Sequence, residues 1–514
     1  MRKWQSYYDV LYFPLVLLFV ASILKGISGL ILTPEFQTLF NIRNEWVVLF
    51  SEMFRYTGYY LTQFFPFLFL IKVLSRKYED SVPVFVGTVS YILINISTMF
   101  FSKASLPSFA YSSELGIMVN AAGLSLEGTG YRYPLAMGMI PIFFSAALTR
   151  KFYASSRRRG TVGAFSFVNR DAHALLTTGI ASLAIGIGLA YVWPYVIDGM
   201  LWLFRFIGSD LSNPINLFLY GILERIMAIL DLDTILHSQF WFSELGGSWI
   251  NNGTIYYGDV AIWTAQQAAG VYNTGFGRLL TPYYVENLFV VPAIIIGTFR
   301  TFTDKIERNK YIIFLILAVI LSMVCGNILP VEIYMLIMTP LYYFFHLFMT
   351  GVLYAILQAL HIWFGYTYAS SSVVFATPGS LFNLLINLRN TTSLTAIRNI
   401  VLVGIVFAVI YYIMLYLYYN RYCLDLLDVG FKDEYVDNFI HAVGGLDNIK
   451  RIYSTPTKVI LQPEDSGLLN FKQMQQQGVY KVVETRTTYD LSYGAISYLL
   501  VKEVEKRLNP NNRD

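Results

Sequence analysis

Residues 220–247 read YGILERIMAILDLDTILHSQFWFSELGG, a polar stretch that lies between long apolar segments. Its ionisable residues are Glu224, Arg225, Asp231, Asp233, His237 and Glu244. Ionisable groups are unfavourable at membrane depth and ordinarily mark a solute pathway or a paired structural site. The glycine pair at 246–247 and the following amides Asn251 and Asn252 indicate irregular backbone, which membranes tolerate only beside protein or a water-filled cavity. We therefore expect a solute to bind in this stretch.

The composition predicts a membrane protein. Of the 514 residues, 55% are hydrophobic, 17% are aromatic and only 14% are charged, and the mean hydropathy is +0.51. Soluble domains contain about 25% charged residues. The apolar residues come in runs of about 20, the length that spans a hydrocarbon core. The lipid bilayer is thus a predicted partner, and a net charge of only +4 gives no indication of nucleic-acid binding.

Metal and cofactor motifs are absent from the sequence. Cys325 and Cys423 lie far apart and the five histidines are scattered, so neither a disulfide framework nor a metal site is predicted. The sequence contains no Walker-type motif, so ATP-driven transport by this chain is not predicted. His346 and His361 lie in apolar segments and are interpreted as packing or interface residues. We predict no metal and no cofactor.

About ten membrane spans are predicted, with two re-entrant hairpins. The apolar runs are 11–32, 46–74, 82–101, a run ending near 148, 175–196, 287–299, 311–324, 335–363 and 397–419. Basic residues crowd a polar connection at 150–159, and an excess of Lys and Arg is typical of cytoplasmic loops. A second basic loop lies at 300–310. Small residues in 175–196 are expected to let helices approach closely.

A second interrupted apolar segment runs from Gly326 to Tyr334. It places Pro330 and Glu332 at membrane depth. Two such interruptions at separate places in a membrane protein are the usual indication of a solute site built from broken helices. The sequence therefore predicts that residues 220–247 and 326–334 meet at one site.

The composition becomes polar after Tyr422. Residues 457–461 and 479–483 have the pattern of strands, and residues 434–443 and 492–508 have the pattern of helices. We therefore predict a membrane-embedded domain at 1–425 and a small, cytoplasmic α/β domain with a tail at 426–514.

Several motifs resemble those of one bacterial family. They are IGIGLAYVWP at 185–194, YGILER at 220–225, FWFSELGG at 240–247, the Gly-Asp pair at 258–259, residues 326–334, TPLYYFFH at 339–346 and VGGLDNI at 443–449. Together they resemble the enzyme IIC permeases of the phosphotransferase system, glucose/maltose/N-acetylglucosamine branch, with a C-terminal IIB domain. The resemblance implies a homodimer in the bacterial cell membrane, a sugar held between two re-entrant hairpins, and an elevator-like movement. It also implies that a IIB cysteine passes phosphate to the sugar.

The IIB-like segment departs from the family pattern at the phosphate-carrying position. Thr455 stands where the resemblance places the phospho-cysteine, ahead of the strand that begins near Thr457. A cysteine thiol can be made a reactive thiolate near neutral pH. A threonine hydroxyl needs a dedicated base to act as a nucleophile. Phosphate relay through Thr455 is therefore not expected, and no other catalytic residue is predicted.

The membrane motifs are altered as well. Asp233 and Thr234 stand where the resemblance places two histidines, and Leu329 replaces the first glutamate of a second motif, whereas Glu332 retains the second glutamate. General-base catalysis needs a group within hydrogen-bond reach of the proton that it removes. The groups expected to activate a sugar hydroxyl are mostly missing.

The predicted substrate-binding residues are Arg225, Asp233, Thr234, His237 and Glu332. Each has a structural alternative. Arg225 would instead form a buried ion pair with Glu224, and Asp233 would lie solvated at a hairpin tip or pair with Arg225 two helical turns away. His237 would be a buried core residue, and Glu332 would hydrogen-bond a helix N-terminus.

Three functional hypotheses follow. The first is a sugar permease that binds a saccharide or glycoside-like solute and moves it without phosphorylation, with Asp233 and Glu332 as candidates for proton coupling. The second is a non-transporting sensor whose IIB-like domain docks cytoplasmic proteins. The third is a phosphorylating permease served by a separate IIB protein. The sequence leaves the solute's identity open.

Overall fold

The computed structural model describes residues 8–77, 81–102, 106–112, 118–120, 130–158, 169–271, 274–303, 305–366, 378–388, 391–419, 432–485 and 487–508. Helices dominate up to residue 419, and a small sheet with helices follows from residue 432. The predicted domain boundary at 425/426 lies outside the described residues, so it remains a prediction.

The part of the chain before residue 420 is built from helices and two short hairpins. The helices are α1 Tyr8–Ile31, α2 Pro34–Leu39, α3 Glu45–Gln63, α4 Phe65–Lys77, α5 Val82–Phe101, α6 Ile140–Arg158, α7 Arg170–Gly208, α8 Pro214–Ile229, α9 Asp233–Trp241, α10 Asp259–Ala268, α11 Thr281–Phe299 with a π turn at Glu286–Val290, α12 Lys305–Met323, α13 Leu329–Met338, α14 Pro340–Ala359, α15 Leu381–Asn387 and α16 Thr391–Leu417. The hairpins pair β1 Val119–Asn120 with β2 Tyr131–Arg132, and β3 Ser248–Asn251 with β4 Thr254–Tyr257.

Within the described ranges, six helices are long and apolar enough to cross a membrane: α1, α5, α7, α11, α14 and α16. The number becomes seven if α3 and α4, which meet at an angle of 52°, form one broken span. Other predicted spans correspond to α6 and α12, whose clusters of basic residues make them more polar. The chain is a multi-pass membrane protein, as its composition predicted.

The basic connection predicted at 150–159 is helical through Arg158. Helix α6 continues past Leu148, and Arg150, Lys151 and Arg157 lie on its last turns. Arg157 donates to the Tyr153 hydroxyl one turn earlier, at 2.7 Å, which favours continuation of the helix. Basic side chains near a helix C-terminus also interact favourably with the helix dipole.

Close helix packing, predicted for residues 175–196, is found at Gly186. A side chain there would meet the Ile94 carbonyl oxygen of α5 at 2.6 Å from its Cβ. Gly221 has the same role between α8 and α14, because a Cβ at Gly221 would lie 2.5 Å from the Tyr354 ring. The Gly221 contact lets α8, which carries Arg225, approach α14 closely.

The C-terminal part is an antiparallel sheet with helices. Its elements are β5 Ile449–Ser454, β6 Lys458–Pro463, β7 Lys481–Thr485, β8 Thr488–Ser492, α17 Lys432–Ala442, α18 Phe471–Gln476 and α19 Ser497–Leu508. The strand order is β5-β6-β8-β7. Two of these strands, β6 and β7, overlap the predicted strands at 457–461 and 479–483, whereas β5 and β8 were not predicted. The last helix was also predicted to begin at Ser492, which is instead the end of a strand.

The C-terminal sheet is hydrogen-bonded to the residues that follow α11. The Ser454 hydroxyl donates to the Thr301 carbonyl at 2.8 Å, and the Ser454 amide donates to the Thr303 hydroxyl at 2.9 Å. Tyr498 on α19 lies within electrostatic range of Arg300, and burial raises the pKa of the Tyr498 phenol above its usual range. We call Thr301–Thr303 with Ser454 the interdomain latch.

Replacing Thr303 by valine removes one acceptor from the interdomain latch and leaves the Ser454 amide unpaired. A lost hydrogen bond of this kind costs about 1 kcal/mol. We expect amide hydrogen exchange in residues 449–458 to become roughly fivefold faster, measured by mass spectrometry. Thr57→Val, which alters an exposed threonine on α3, should leave exchange in 449–458 unchanged. Equal exchange in Thr303→Val and the wild type would contradict this contact.

Candidate functional site

The first interrupted segment is a helix–turn–helix formed by α8 and α9. Asn213 caps α8 by accepting a hydrogen bond from the Ile215 amide at 2.9 Å, and Pro214 occupies the first turn, where its missing amide hydrogen is harmless. The helix ends at Ile229 with Leu230 as its C-cap, and Asp231 has a left-handed φ of 58° that turns the chain. Asp233 then begins α9.

The second interrupted segment lies between α12 and α13. Gly326 adopts a φ of 62°, which glycine adopts without strain. Asn327 then accepts a hydrogen bond from the Leu329 amide at 3.0 Å and donates one to Ser22 of α1 at 2.9 Å. The break is therefore tied to a neighbouring helix, and it places Glu332 in the first turn of α13.

The two interruptions line one cavity of about 160 Å³. All five predicted substrate-binding residues line it: Arg225, Asp233, Thr234, His237 and Glu332. Lys25, Tyr59 and Gln63 come from α1 and α3, and Trp241 stacks on His237 with ring centroids 4.0 Å apart. We call this space the central cavity. Its wall combines ionisable, amide and aromatic groups.

A larger hollow of about 720 Å³ lies elsewhere, between the β3–β4 hairpin and α10. Asn251, Asn252 and alanines of α10 line it, and none of its lining residues is charged. The amide run expected to be irregular thus forms a hairpin turn, since Asn252 and Gly253 both have positive φ, at 48° and 81°. We place the functional site at the central cavity, because its ionisable groups are buried and interrupted helices surround it.

Arg225 is the centre of a buried ionic network. Its guanidinium lies 2.6 Å from Glu224, 3.8 Å from Glu286 and 3.6 Å from Glu332. The exposed fractions of the four side chains are 5% or less. The predicted ion pair with Glu224 is therefore present, within a larger cluster that faces the central cavity.

Asp233 is not one of the ion-pair partners of Arg225. The proposed pairing assumed a continuous helix, whereas the chain breaks at Asp231. Asp233 instead lies 3.9 Å from the His237 Nδ1 atom, one turn along α9, and both residues line the cavity near Lys25. His237 is buried, as its structural alternative predicted, and it also contacts Glu224 at 3.3 Å through Nε2.

Glu224 is held mainly by hydroxyl and guanidinium donors. Tyr283 donates to its Oε1 atom, and Tyr354 donates to its Oε2 atom at 3.0 Å. Arg225 also stacks over the Tyr283 ring, with 5.2 Å between the guanidinium carbon and the ring centroid. Hydrogen bonding to a carboxylate favours its charged form. With Arg225, which donates to Oε1 at 2.6 Å, these hydroxyl groups fix the position of the Glu224 carboxylate.

Three residues of the network and cavity were not among the predicted site residues: Glu286, His346 and Lys25. Glu286 lies in the π turn of α11 and accepts from the Thr350 hydroxyl at 2.7 Å. His346, interpreted as a packing residue, contacts Glu332 at 3.0 Å and the Tyr411 hydroxyl at 2.8 Å. An acid inside an apolar run was the available signal for Glu286, the same signal that identified Glu332.

The arrangement suits recognition of a neutral polyhydroxyl compound. Carboxylates accept hydrogen bonds from hydroxyl groups, guanidinium groups donate to their oxygens, and aromatic rings pack against apolar faces. Among the described residues, no cluster of His, Cys, Asp and Glu has the geometry of a metal site. The fold and cavity thus define a polytopic membrane protein with a buried polar cavity between interrupted helices.

Comparison with known proteins identifies the family. The chain belongs to the phosphotransferase system EIIC family, whose model matches residues 8–351, more than half of the sequence. This confirms the resemblance drawn from the motifs at 185–247 and 326–346. EIIC proteins are integral membrane sugar permeases, which agrees with the multi-pass helical fold.

A curated relative is the PTS system glucoside-specific EIICBA component of Staphylococcus carnosus (strain TM300). It is 29% identical over 332 residues, which cover 62% of this chain and 46% of that protein. The chain thus matches about half the length of this relative. The C-terminal sheet is consistent with a IIB-like domain.

Proposed function

We propose that this protein is an EIIC-type permease that binds a glucoside in the central cavity and moves it without phosphorylating it. The family supports sugar permeation, and the relative's name suggests the solute class. The central cavity is smaller than the roughly 300–1,000 Å³ of sites for drug-sized ligands. A single sugar ring with a small aglycone is the preferred occupant.

The environment of Thr455 is the main support for transport without phosphorylation. Its hydroxyl accepts a hydrogen bond from the Lys458 amide at 3.1 Å and faces the Lys458 carbonyl at 3.5 Å. A backbone carbonyl cannot take up the hydroxyl proton at neutral pH, so the oxygen lacks the base that nucleophilic attack requires. Thr455 is 3% exposed, which also hinders an incoming phosphate donor.

The position of the interdomain latch adds a distance argument. Helix α11 joins Glu286 of the ionic network to Phe299, just before the latch. At about 1.5 Å per residue, these two ends are about 20 Å apart. Reacting atoms must come within about 3–3.5 Å. This conformation therefore keeps Thr455 away from a solute in the central cavity.

The test is uptake by proteoliposomes that contain only the purified full-length chain. Radiolabelled methyl β-glucoside should enter the vesicles in the absence of phosphoenolpyruvate and carrier proteins. The glucoside recovered from the vesicles should be chemically unchanged. Glucoside phosphate formed only in the presence of the carrier proteins would support the phosphorylating permease with a separate IIB protein.

A non-transporting sensor is the second candidate, and the folded, latched C-terminal domain favours it. It predicts that methyl β-glucoside binds the protein but does not enter vesicles. Removal of residues 431–514 would then abolish the binding of cytoplasmic proteins to the membrane protein. A truncated chain that takes up the glucoside as the full chain does would exclude an essential docking role. The homodimer and a docking protein remain predictions.

A further inference from the structure

The ionic network around Arg225 holds more negative than positive groups. Glu224, Glu286 and Glu332 share the one guanidinium, so with neutral histidines the network has two negative charges in excess. Uncompensated charge is strongly unfavourable in a buried site. Such a network is suited to take up a proton whenever Arg225 is drawn away from one of its carboxylates.

The two carboxylate oxygens of Glu332 face different groups. Its Oε1 atom contacts the His346 Nε2 atom at 3.0 Å. Among the described residues its Oε2 atom has no hydrogen-bond partner, and it lies 3.6 Å from Arg225, too far for a hydrogen bond. Since Glu332 is 1% exposed and lines the central cavity, Oε2 is a buried acceptor available to a solute hydroxyl.

His346 has partners that satisfy both of its charge states. In the neutral imidazole, Nε2–H donates to Glu332 and the Tyr411 hydroxyl donates to Nδ1 at 2.8 Å. In the protonated imidazole, Nδ1–H donates to the Tyr411 oxygen. The Tyr411 hydroxyl then turns to the His346 backbone carbonyl, 3.5 Å away. Rotation of one hydroxyl is enough to accommodate the added proton.

We propose that His346 takes up one proton when a solute hydroxyl inserts between Arg225 and Glu332, so that the protein is a solute–proton symporter. This rests on the proposed function and names the driving ion. Insertion separates Arg225 from Glu332. The positive charge of protonated His346 then compensates the Glu332 carboxylate in place of Arg225. The proton comes from cavity water through Glu332 and is released when the solute leaves.

The groups that face His346 support this assignment. Glu332 approaches from α13, Glu286 from α11 and Tyr411 from α16, and Tyr343 lies one turn away on α14 itself. Arg225 of α8 lies beyond them, 3.8 Å from Glu286 and 3.6 Å from Glu332. Two carboxylates favour the imidazolium and one guanidinium opposes it. Withdrawal of that guanidinium by the solute therefore favours protonation. By reciprocity, a lower pH must then strengthen solute binding.

Calorimetry tests proton uptake separately from transport. Methyl β-glucoside is titrated into the purified full-length protein in two buffers of different ionisation enthalpy. We expect an uptake of about one proton per glucoside at pH 7.5 and a Kd that weakens by up to tenfold per pH unit above that. His346→Gln should bind the glucoside without proton uptake. His441→Gln, at an exposed site in the C-terminal domain, should behave as the wild type.

Vesicle uptake tests the coupling. With the exterior one pH unit more acidic than the lumen, wild-type protein should accumulate methyl β-glucoside above the external concentration, and His346→Gln should only equilibrate it. Proton uptake on binding without any transport would overturn the proposed permease function and leave the proton site in place. Glucoside binding without proton uptake, or equal accumulation by His346→Gln and wild type, would overturn the proton site.

Discussion

Replacing Arg225 by methionine is expected to destabilise the protein by about 3–5 kcal/mol and to abolish methyl β-glucoside binding. The variant leaves Glu224, Glu286 and Glu332 without their shared cation. Removing one partner of a buried ionic network leaves uncompensated charge, which is why the loss is large. Thermal unfolding in detergent measures the stability, and calorimetry measures the binding.

A control for Arg225→Met is Lys450→Met. Lys450 pairs with Glu464 at 3.5 Å in the C-terminal sheet, and the two side chains are 51% and 55% exposed. Surface ion pairs contribute about 0–1 kcal/mol, so this variant should unfold near the wild-type temperature. Arg225→Lys, which keeps the charge but cannot span three carboxylates, should fall between the two. Wild-type unfolding and binding in Arg225→Met would show that the network has no role.

Replacing Glu332 by glutamine is expected to have the opposite effect on stability. The substitution keeps the shape and removes one excess buried charge, so the melting temperature at pH 8 should rise. Binding should weaken about 10- to 100-fold, because a hydrogen bond to a charged group contributes about 1.5–3 kcal/mol. The pH dependence of uptake should also disappear. A gain in stability with a loss of binding is typical of a residue kept for function.

Glu286→Gln is the matched comparison for Glu332→Gln. It also removes one carboxylate charge from Arg225, but Glu286 is absent from the wall of the central cavity. It should stabilise the protein similarly and weaken glucoside binding less than Glu332→Gln does. Equal losses of affinity in the two variants would indicate that Glu332 acts through the charge of the network and not through direct contact with the solute.

Much of the membrane fold was predictable because hydrophobic length is a strong signal. The run at 82–101 matches α5 at both ends, since Pro83 and the apolar sequence define a single uninterrupted helix. Local dihedral changes were harder to predict. Helices α3 and α4 appeared as one run at 46–74, although the chain bends by 52° between them.

The site was predictable in its composition but not in its connections. Arg225, Asp233 and Glu332 were found because ionisable residues stand out in an apolar sequence. The pairing of Arg225 with Glu286 depends on the approach of α8 and α11, which no local pattern encodes. His346 was assigned to packing for the same reason, since its partners Glu332 and Tyr411 lie on other helices.

The C-terminal domain shows the limits of short patterns. The strand at 458–463 was predicted at 457–461 from its short alternating pattern. β8 was missed because alternation over five residues is a short signal, and only its last residue, Ser492, was assigned, as the start of the following helix. A short pattern was also misread before residue 420. The Asn252-Gly253 pair between β3 and β4 is typical of a hairpin turn, but it was interpreted as irregular backbone.

The most direct measurement is phosphate labelling of the full-length protein in membranes. Radioactive phosphoenolpyruvate, the general phosphotransferase carrier proteins and methyl β-glucoside are supplied together, and both the chain and the glucoside are analysed. Because the Thr455 hydroxyl is hydrogen-bonded to the backbone of Lys458 and the residue is only 3% exposed, we predict that neither becomes labelled while the glucoside still enters the vesicles. Label on Thr455 or on the glucoside would contradict the account.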